Sequence, residues 1–154
     1  VNVGLSVSRV GGSAQRKAIR QISGQLRINL AQYRELAIFM QFGSDLDSQT
    51  QKTLSRGAKL TDTLKQRQYL NYSVKEMIVL LVVSQSDLID GVPAKKVTEF
   101  NDGLLDYLRI NRSDLLGRID PDAALSDELK ADILAAAGEY MNMTLGDEGG
   151  SADV

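Results

Sequence analysis

The sequence predicts a mainly α-helical fold of about five to six helices, preceded by one β-strand. Residues 3–8, Val-Gly-Leu-Ser-Val-Ser, alternate apolar and small or polar side chains, which is the period of a strand. After Gly12 the apolar residues recur at steps of three and four, which is the period of an amphipathic helix. The chain has 154 residues, which is enough for one domain with a single core.

The predicted strand, residues 1–10, has no partner strand in the rest of the sequence. A lone strand leaves its backbone N–H and C=O groups unpaired. We therefore expect it to pair with strands of another polypeptide, and the chain to be part of something larger. Arg9 stands where the apolar face calls for another aliphatic residue, and Val-Gly-Gly ends the strand directly after it. The strand pattern itself does not explain a permanent cation at this position.

The first two helices are predicted on either side of the sequence Phe-Gly-Ser-Asp-Leu-Asp, residues 42–47. The apolar stripe of the first helix consists of Ile19, Ile22, Leu26, Leu30, Tyr33, Ala37 and Met40. We expect Gly24 to interrupt this helix, because an interior Gly costs about 1 kcal/mol relative to Ala. Residues 48–51, Ser-Gln-Thr-Gln, have the pattern of a capping box, and the helix that they begin is predicted to run to about Lys65.

The third helix is predicted from a second capping box, Ser-Val-Lys-Glu at residues 73–76, followed by the apolar run 77–83. Ile and Val favour strands, and seven residues are too few for their period to decide, but the capping box favours a buried helix. Pro93 suits the first turn of the next helix. The inner face of that helix is predicted to consist of Val97, Phe100, Leu104, Leu105 and Leu108.

The last helix is predicted to begin at Ser126-Asp127-Glu128, where two acids oppose the helix dipole favourably, and to run through about Met141. Residues 144–154 have almost no apolar side chains and a net negative charge. We expect them to form a disordered tail, because they cannot bury enough apolar surface to fold.

The composition disfavours a self-sufficient hydrolase or metalloenzyme. The chain has no Cys and no His, which removes thiolate sites, the usual zinc ligand and the usual general base. Residues 45–56 begin like a calcium loop, but Thr50 replaces the required Gly and Arg56 replaces the bidentate Glu. The phosphate-binding patterns of Walker A and GxGxxG loops are missing from the sequence. We expect no metal ligand here, and no membrane insertion, because no apolar run approaches about 20 residues.

Charge is distributed unevenly along the chain. Residues 1–34 carry six basic side chains and no acid, whereas the other 120 residues carry 12 basic and 20 acidic side chains. A basic end can meet nucleic acid or bound phosphates. A solvated helix face, balanced by the acidic remainder, explains the same charges without a ligand. The second reading is favoured, because neither an aromatic platform nor a known nucleic-acid motif accompanies the basic residues.

Three stretches of the sequence, taken together, are typical of one protein family: VNVGLSVSRVGGSAQ (1–15), LAQYRELAIFMQFGSDLDSQTQ (30–51) and LKQRQY (64–69). In their order and spacing they resemble the C-terminal part of the alpha subunit of F-type ATP synthases. The resemblance is strong to about Tyr69 and looser to about Asn142. It implies that residues 1–12 complete a nucleotide-binding domain formed by another chain and that residues 13–143 form the C-terminal helical domain. The expected tail, residues 144–154, does not match the family.

The resemblance also implies a role for Arg9. In the family, the arginine of Ser-Val-Ser-Arg is an arginine finger, which reaches into the catalytic nucleotide site of the neighbouring beta subunit. A planar guanidinium suits this task, because it binds the charge of a transferring phosphoryl group bidentately. A buried ion pair is the plain structural alternative.

Ser6 also falls on a family position associated with activity. We expect it to support the strand and the interface rather than to act as a nucleophile. An ordinary strand serine remains the alternative.

Two further family sites fall on this chain. Gln66 and Gln68 match the glutamines that line the adenine pocket of the non-catalytic nucleotide, and an amide offers a base edge both a donor and an acceptor. Solvent-facing glutamines are the alternative. The segment 42–47, with Phe42, Ser44, Asp45 and Asp47, resembles the one that approaches the central stalk, and a plain Gly turn before a helix is the alternative.

Taken whole, the resemblance implies part of a proton-translocating ATP synthase (a proton-transporting ATPase), with ATP or ADP and Mg²⁺ bound mainly by other chains. The expected partners are the beta subunit, the remaining portion of the alpha subunit and the central stalk, with no nucleic acid. The expected location is peripheral, on the matrix side of the mitochondrial inner membrane, or alternatively at a plastid thylakoid or on the cytoplasmic face of a bacterial plasma membrane. The competing function is a non-catalytic helical interaction module derived from the family; a basic nucleic-acid-binding helix ranks third.

Overall fold

The computed structural model describes residues 13–40, 47–65 and 71–148, which form six α-helices and two short 3-10 helices. The mainly helical fold class is confirmed. The α-helices are α1 (Lys17–Met40), α2 (Ser48–Leu64), α3 (Val74–Ser84), α4 (Val97–Asn111), α5 (Ser113–Arg118) and α6 (Asp127–Glu148). The 3-10 helices η1 (Asp87–Gly91) and η2 (Ala94–Lys96) connect α3 to α4. The predicted strand, residues 1–10, lies outside the described residues.

The main hydrophobic core is built by α3 to α6 together with the first turns of α1. The apolar run 77–83 is helical, as the capping box predicted, and Ile78 and Val79 within it are fully buried. All five predicted inner-face residues of α4 are buried. A second and smaller cluster joins α1 to α2, and its buried members are Leu26, Leu30 and Leu60.

Hydrogen bonds from capping residues define the starts of α2 and α3, and one of the two predicted caps is corrected by the structure. At α3 the Ser73 hydroxyl accepts from the Glu76 N–H (3.3 Å), and the Ser73 N–H donates to the Glu76 carboxylate (2.7 Å), so this capping box is confirmed. The capping box predicted at residues 48–51 is wrong by one residue. Asp47 is the N-cap of α2, and its carboxylate accepts from the Thr50 N–H at 3.1 Å. Asp and Ser cap about equally well, so the pattern alone could not choose between neighbours.

Gly24 does not interrupt α1, which is continuous from Lys17 to Met40. The prediction was wrong because tertiary packing outweighs the cost of one interior Gly. The residues around Gly24 at helical spacing, Ala18, Ile22, Leu26 and Leu30, are all buried. Each large apolar side chain among them contributes more than the roughly 1 kcal/mol that the Gly costs.

The structure also revises two boundaries near the C-terminal helices. Pro93 precedes η2, and α4 begins only at Val97, so a 3-10 turn separates the proline from the helix. At the other end α6 runs to Glu148, beyond the predicted end near Met141. Residues 144–148 of the expected tail are therefore helical, because extending a helix that is already formed costs less than nucleating a new one.

The helices α1 and α2 lie in close contact at Gly57. The Tyr33 side chain from α1 occupies the space in which a Gly57 side chain would stand, and a Cβ added there would lie within 2.5 Å of Tyr33 Cβ, Cγ and Cδ2. Gly57 itself is buried. The absence of a side chain at this position thus sets how closely the two helices approach.

The start of α1 is tied to the turn before α6. The Ala18 N–H donates to the Pro121 carbonyl (3.1 Å), and the Gln21 amide pairs with the Leu125 backbone in both directions (3.0 and 3.4 Å). Arg16 adds an exposed ion pair with Asp122 at 3.0 Å. These bonds join segments that lie about 100 residues apart in the chain.

Candidate functional site

Most residues that the sequence singled out for function lie outside the described part of the chain. These residues are Ser6, Arg9, Phe42, Ser44, Asp45, Gln66 and Gln68. Their proposed roles therefore stay predictions. Two of the undescribed segments, 41–46 and 66–70, contain the predicted stalk-facing and adenine-binding residues. The structure describes residues next to each of these segments and the hydrogen bonds that hold them.

Asp47, the last residue of the predicted stalk-facing segment, is occupied by helix capping. Its carboxylate accepts the Thr50 N–H and begins α2, and this hydrogen bond lowers the pKa of Asp47. An ionised carboxylate is also favourable at the positive end of a helix dipole. Asp47 therefore has a structural role that its position in the sequence did not reveal.

The segment with Gln66 and Gln68 leaves α2 at one end and enters α3 at the other. At the first end, Lys65 donates through its N–H to Asp62 O (3.1 Å) and through Nζ to the Asp62 carboxylate (2.7 Å). At the second end, the Tyr72 hydroxyl donates to Asp102 Oδ1 of α4 at 2.6 Å. Both ends of the predicted adenine-binding segment are thus fixed to helices.

The second end is reinforced by Glu76, which is a buried acid. One carboxylate oxygen accepts from the Ser73 N–H (2.7 Å), and the other accepts from Arg109 Nε of α4 (2.6 Å). Burial raises the pKa of Glu76, but the hydrogen bonds with Arg109 and Ser73 outweigh burial and hold the pKa below its ordinary value. Glu76 is therefore ionised near neutral pH and joins the start of α3 to α4.

A set of polar residues on one side of α2 was missed by sequence reasoning. Arg56 donates through Nε to Asp90 Oδ1 and through Nη2 to Asp87 Oδ1, both at 2.6 Å. The neighbouring Lys59 is 5% exposed, and its ammonium donates to the carbonyls of Ile89 (2.9 Å) and Asp90 (3.1 Å). The signal that could have found it is a spacing of three between two basic residues, which places both on one helix face.

The same side of α2 continues to Thr63. The Thr63 hydroxyl donates to the Lys59 carbonyl (3.1 Å) and accepts from the buried Asn101 amide of α4 (3.2 Å). We call Arg56, Lys59 and Thr63 the polar latch, because they bond α2 to η1 and to α4. Burial lowers the pKa of Lys59, and the Asp90 charge offsets this only in part; the hydrogen bond from Arg56 lowers the pKa of Asp90.

A cavity of about 150 Å³ lies between α1, α2 and the end of α3. Its lining is mostly uncharged and polar, and consists of Asn29, Gln32, Thr53, Arg56, Gly57, Leu60, Ser84 and Gln85. Arg56 is the charged member, and Asp87 and Asp90 neutralise it. The cavity therefore offers no net positive charge to a phosphate.

In residues 13–40, 47–65 and 71–148, no three His, Cys, Asp or Glu side chains lie close enough together to hold a metal ion. None of the helices described there combines the length and the apolar character needed to span a bilayer.

Comparison with known proteins gives the family. Residues 15–140 match the family model described as ATP synthase alpha/beta chain, C terminal domain. The chain is 43% identical over 146 residues to the mitochondrial ATP synthase subunit alpha of Neurospora crassa, an alignment that covers 95% of the chain and 26% of the relative. It is 46% identical over 140 residues to ATP synthase subunit alpha of Thioalkalivibrio sulfidiphilus, covering 91% and 27%.

The chain spans about a quarter of the length of these curated relatives. Both relatives are alpha subunits, so the resemblance seen in the sequence motifs is confirmed. The matched range includes every described helix up to Tyr140 within α6. The chain belongs to the family of the ATP synthase alpha/beta chain, C-terminal domain.

Proposed function

We propose that the chain acts as the C-terminal helical part of an alpha subunit in the catalytic head of a proton-translocating ATP synthase. The observation that carries this proposal is the identity of 43% and 46% to two alpha subunits along more than nine tenths of the chain. Because the chain corresponds to about a quarter of an alpha subunit, the ATP chemistry belongs to the assembled complex. The proposed partners are the beta subunit and the remaining portion of the alpha subunit.

Within this complex we assign Arg9 the role of an arginine finger that acts in trans on the beta-subunit catalytic site. A guanidinium stabilises charge that develops on the transferring phosphoryl group, and such fingers contribute roughly 10³ to 10⁵ in rate. Ser6 has the supporting role of a hydrogen-bonding residue in the same strand. The motif Ser-Val-Ser-Arg, residues 6–9, supports this assignment.

Gln66 and Gln68 are proposed to line the adenine pocket of the non-catalytic nucleotide, whose phosphates and Mg²⁺ are held elsewhere in the complex. The anchored flanks at Lys65 and Tyr72 support this role, because a segment fixed at both ends loses less entropy when it binds a ligand. The complex releases this nucleotide more readily if both glutamines are replaced by Ala.

The segment 42–47 is proposed to approach the central stalk, since it joins the ends of α1 and α2. The Asp47 cap supports this by fixing the start of α2 next to the segment. The proposed location is peripheral, at a membrane that carries the proton-translocating part of the enzyme. The matrix side of the mitochondrial inner membrane is the preferred compartment, and the bacterial relative makes a plasma membrane the alternative.

The deciding experiment measures multisite ATP hydrolysis and nucleotide binding on one assembled complex that carries Arg9→Lys. Lys keeps the charge but loses the planar fork, so turnover falls by at least about 10³ while nucleotide affinity changes much less. Arg27→Lys, in an exposed position of α1, is the matched control and leaves turnover unchanged. Near-normal turnover of the intact Arg9→Lys complex refutes the finger.

The competing function, a helical interaction module without catalysis, is tested by the mass of the native complex. A companion chain with a Walker A loop supports the catalytic assignment, because this chain contains no phosphate-binding loop. A native complex without such a companion supports the module instead.

A further inference from the structure

We propose that the outward face of α1 is a docking surface for a helix of another chain, and that this partner helix carries acidic side chains beside its apolar stripe. The inference rests on the exposed residues of α1 and not on the proposed function. It is carried by the spacing of those residues, by the apolar side chains among them and by the positive charge along one edge.

The exposed face of α1 follows the seven-residue repeat of helices that pack side by side. The opposite face, with Ala18, Ile22, Leu26 and Leu30, is buried in the domain. Residues at alternating steps of three and four lie on one side of a helix, which is the spacing of a coiled-coil contact. The residues of α1 at these steps are all exposed, and we call them the outer seam: Lys17, Gln21, Gly24, Ile28, Ala31, Glu35 and Ile38.

Apolar side chains are concentrated on this face of α1. Ile28, Ile38 and the neighbouring Phe39 are 53%, 57% and 61% exposed. They are three of the five exposed large hydrophobic side chains in the described part of the chain; the others are Ile110 of α4 and Met143 of α6. Single apolar side chains are ordinary on a protein surface, whereas a group of them on one face is typical of a contact site. A plain solvated helix face does not account for this group.

Two small residues separate the larger ones along the outer seam. Gly24 and Ala31 lie on either side of Ile28, and a Cβ added to Gly24 would meet no atom within 4 Å. Two helices pack closely when large side chains of one lie over small residues of the other. The outer seam therefore offers a partner helix a shallow recess on each side of Ile28.

Basic side chains line one edge of the outer seam. Arg20, Arg27 and Arg34 follow one another at seven-residue steps, which places them in one row along the helix. In total α1 carries four basic side chains and a single acid. Charges beside the contact of two helices select the partner, because opposite charges attract across it and like charges repel. The arginine row therefore favours a helix with acidic side chains beside its apolar stripe.

The same charges disfavour a second copy of this chain as the occupant. An antiparallel pair of outer seams would set the two arginine rows against each other. A parallel pair would set each row against the opposite edge, where Gln25 and Gln32 are uncharged. Neither arrangement faces the arginines with carboxylates. The occupant is therefore assigned to a different chain.

The first test uses the full 154-residue chain and a synthetic helix of about three heptads as the probe. The probe has Leu at its contact positions and Glu at its flanking positions, and a matched probe has Lys in place of Glu. In fluorescence anisotropy titrations at low salt, the chain binds the Glu probe at least about tenfold more tightly than the Lys probe. Equal binding of the two probes overturns the proposal.

Substitutions locate the probe on the chain. Ile28→Glu places an acid in the middle of the outer seam and weakens binding of the Glu probe by about tenfold or more. Ile110→Glu is the matched control, because it makes the same change at an isoleucine of α4 that is 80% exposed, and it leaves binding within about twofold of wild type. Equal effects of these two variants overturn the proposal.

Charge reversal tests the arginine row separately. Arg27→Glu weakens binding of the Glu probe and strengthens binding of the Lys probe, whereas Arg27→Lys keeps the charge and binds both probes as the wild type does. A preference that Arg27→Glu does not change overturns the assignment of an acidic partner. If Ile28→Glu does not fold, Arg27→Glu decides alone.

The second test identifies the occupant in the assembled complex. A photoreactive benzoylphenylalanine in place of Ile28 is irradiated, and the cross-linked peptides are identified by mass spectrometry. We expect a cross-link to a helix of another chain that carries acidic side chains beside its apolar stripe. A cross-link to a second copy of this chain, a cross-link within the chain, or no cross-link overturns the proposal.

Discussion

Replacing Gly57 by Ala tests whether the contact between α1 and α2 depends on a missing side chain. Gly→Ala in a helix interior usually stabilises a protein by up to about 1 kcal/mol, because Ala has the higher helix propensity. At Gly57 the added methyl would lie within 2.5 Å of three Tyr33 atoms. Ordinary carbon contacts are about 3.5 to 4.0 Å, so the two helices must separate by about 1 Å.

The magnitude follows from the atoms involved. One clashing atom is Tyr33 Cβ, which is fixed to the α1 backbone, so rotation of the ring cannot relieve the overlap. Overpacking of this kind costs about 1 to 3 kcal/mol, and because the Tyr33 Cβ is fixed we expect the cost at Gly57 to lie near the upper figure. After the propensity gain, we expect a net loss of about 2 kcal/mol in the free energy of unfolding. For a chain of this length that lowers Tm by about 4 to 8 °C.

The assay is urea unfolding of both variants, followed by circular dichroism. The control is Gly24→Ala, the same chemical change in the interior of α1, where a Cβ meets no atom within 4 Å. We expect this control to raise the free energy of unfolding by up to about 1 kcal/mol, which leaves a difference of about 3 kcal/mol between the variants. If Gly57→Ala stabilises the chain as much as Gly24→Ala does, the packing argument is wrong.

Three further predictions concern the main core and its caps. A Cβ on Gly103 would overlap the Tyr140 hydroxyl, so Gly103→Ala lowers Tm, and adding Tyr140→Phe restores most of the loss; an equal Tm for the single and double variants counts against this contact. Ser126→Ala removes the hydroxyl that accepts the Leu129 N–H and lowers the free energy of unfolding in urea by about 1 kcal/mol. A loss below a few tenths of a kcal/mol would show that this cap is unimportant. The pKa of Glu76 in the folded chain lies below its ordinary value of 4.5, so its contribution to the free energy of unfolding is complete above pH 4.5 and is lost as the pH falls below that value. Glu76→Gln removes this dependence and flattens the acidic part of the curve of unfolding free energy against pH. An unchanged slope would contradict the assignment.

Local signals in the sequence predicted the helices well. The capping box at Ser73 identified α3 although its apolar run favours strands, since the box depends on residues three apart in the chain. The same kind of signal missed the N-cap of α2 by one residue, because Asp47 and Ser48 are both good caps. Gly24 was misread because the packing that overrides its helix cost comes from distant residues.

The polar latch could not be predicted for the same reason. The acids that bind Arg56 and the carbonyls that bind Lys59 come about 30 residues later, and only the folded chain brings them together. Family resemblance, not local chemistry, gave the functional assignments. Arg9, Ser6, Gln66 and Gln68 remain predictions from the motif, and their tests lie in the assembled complex.

The bonds between the start of α1 and the turn before α6 have a consequence for synthesis on the ribosome. Ala18 and Ile22 are buried in a cluster whose other members come from the second half of the chain, and the Ala18 N–H donates to the Pro121 carbonyl. At 5 to 20 residues per second, roughly 5 to 20 s pass between the emergence of Ala18 and that of Pro121. During that time the contacts of Ala18 and Ile22 with the C-terminal helices are incomplete, and these residues are accessible to other nascent chains and to chaperones. Of the six described α-helices, α1 comes first in the chain and is thus one of the last to be completed.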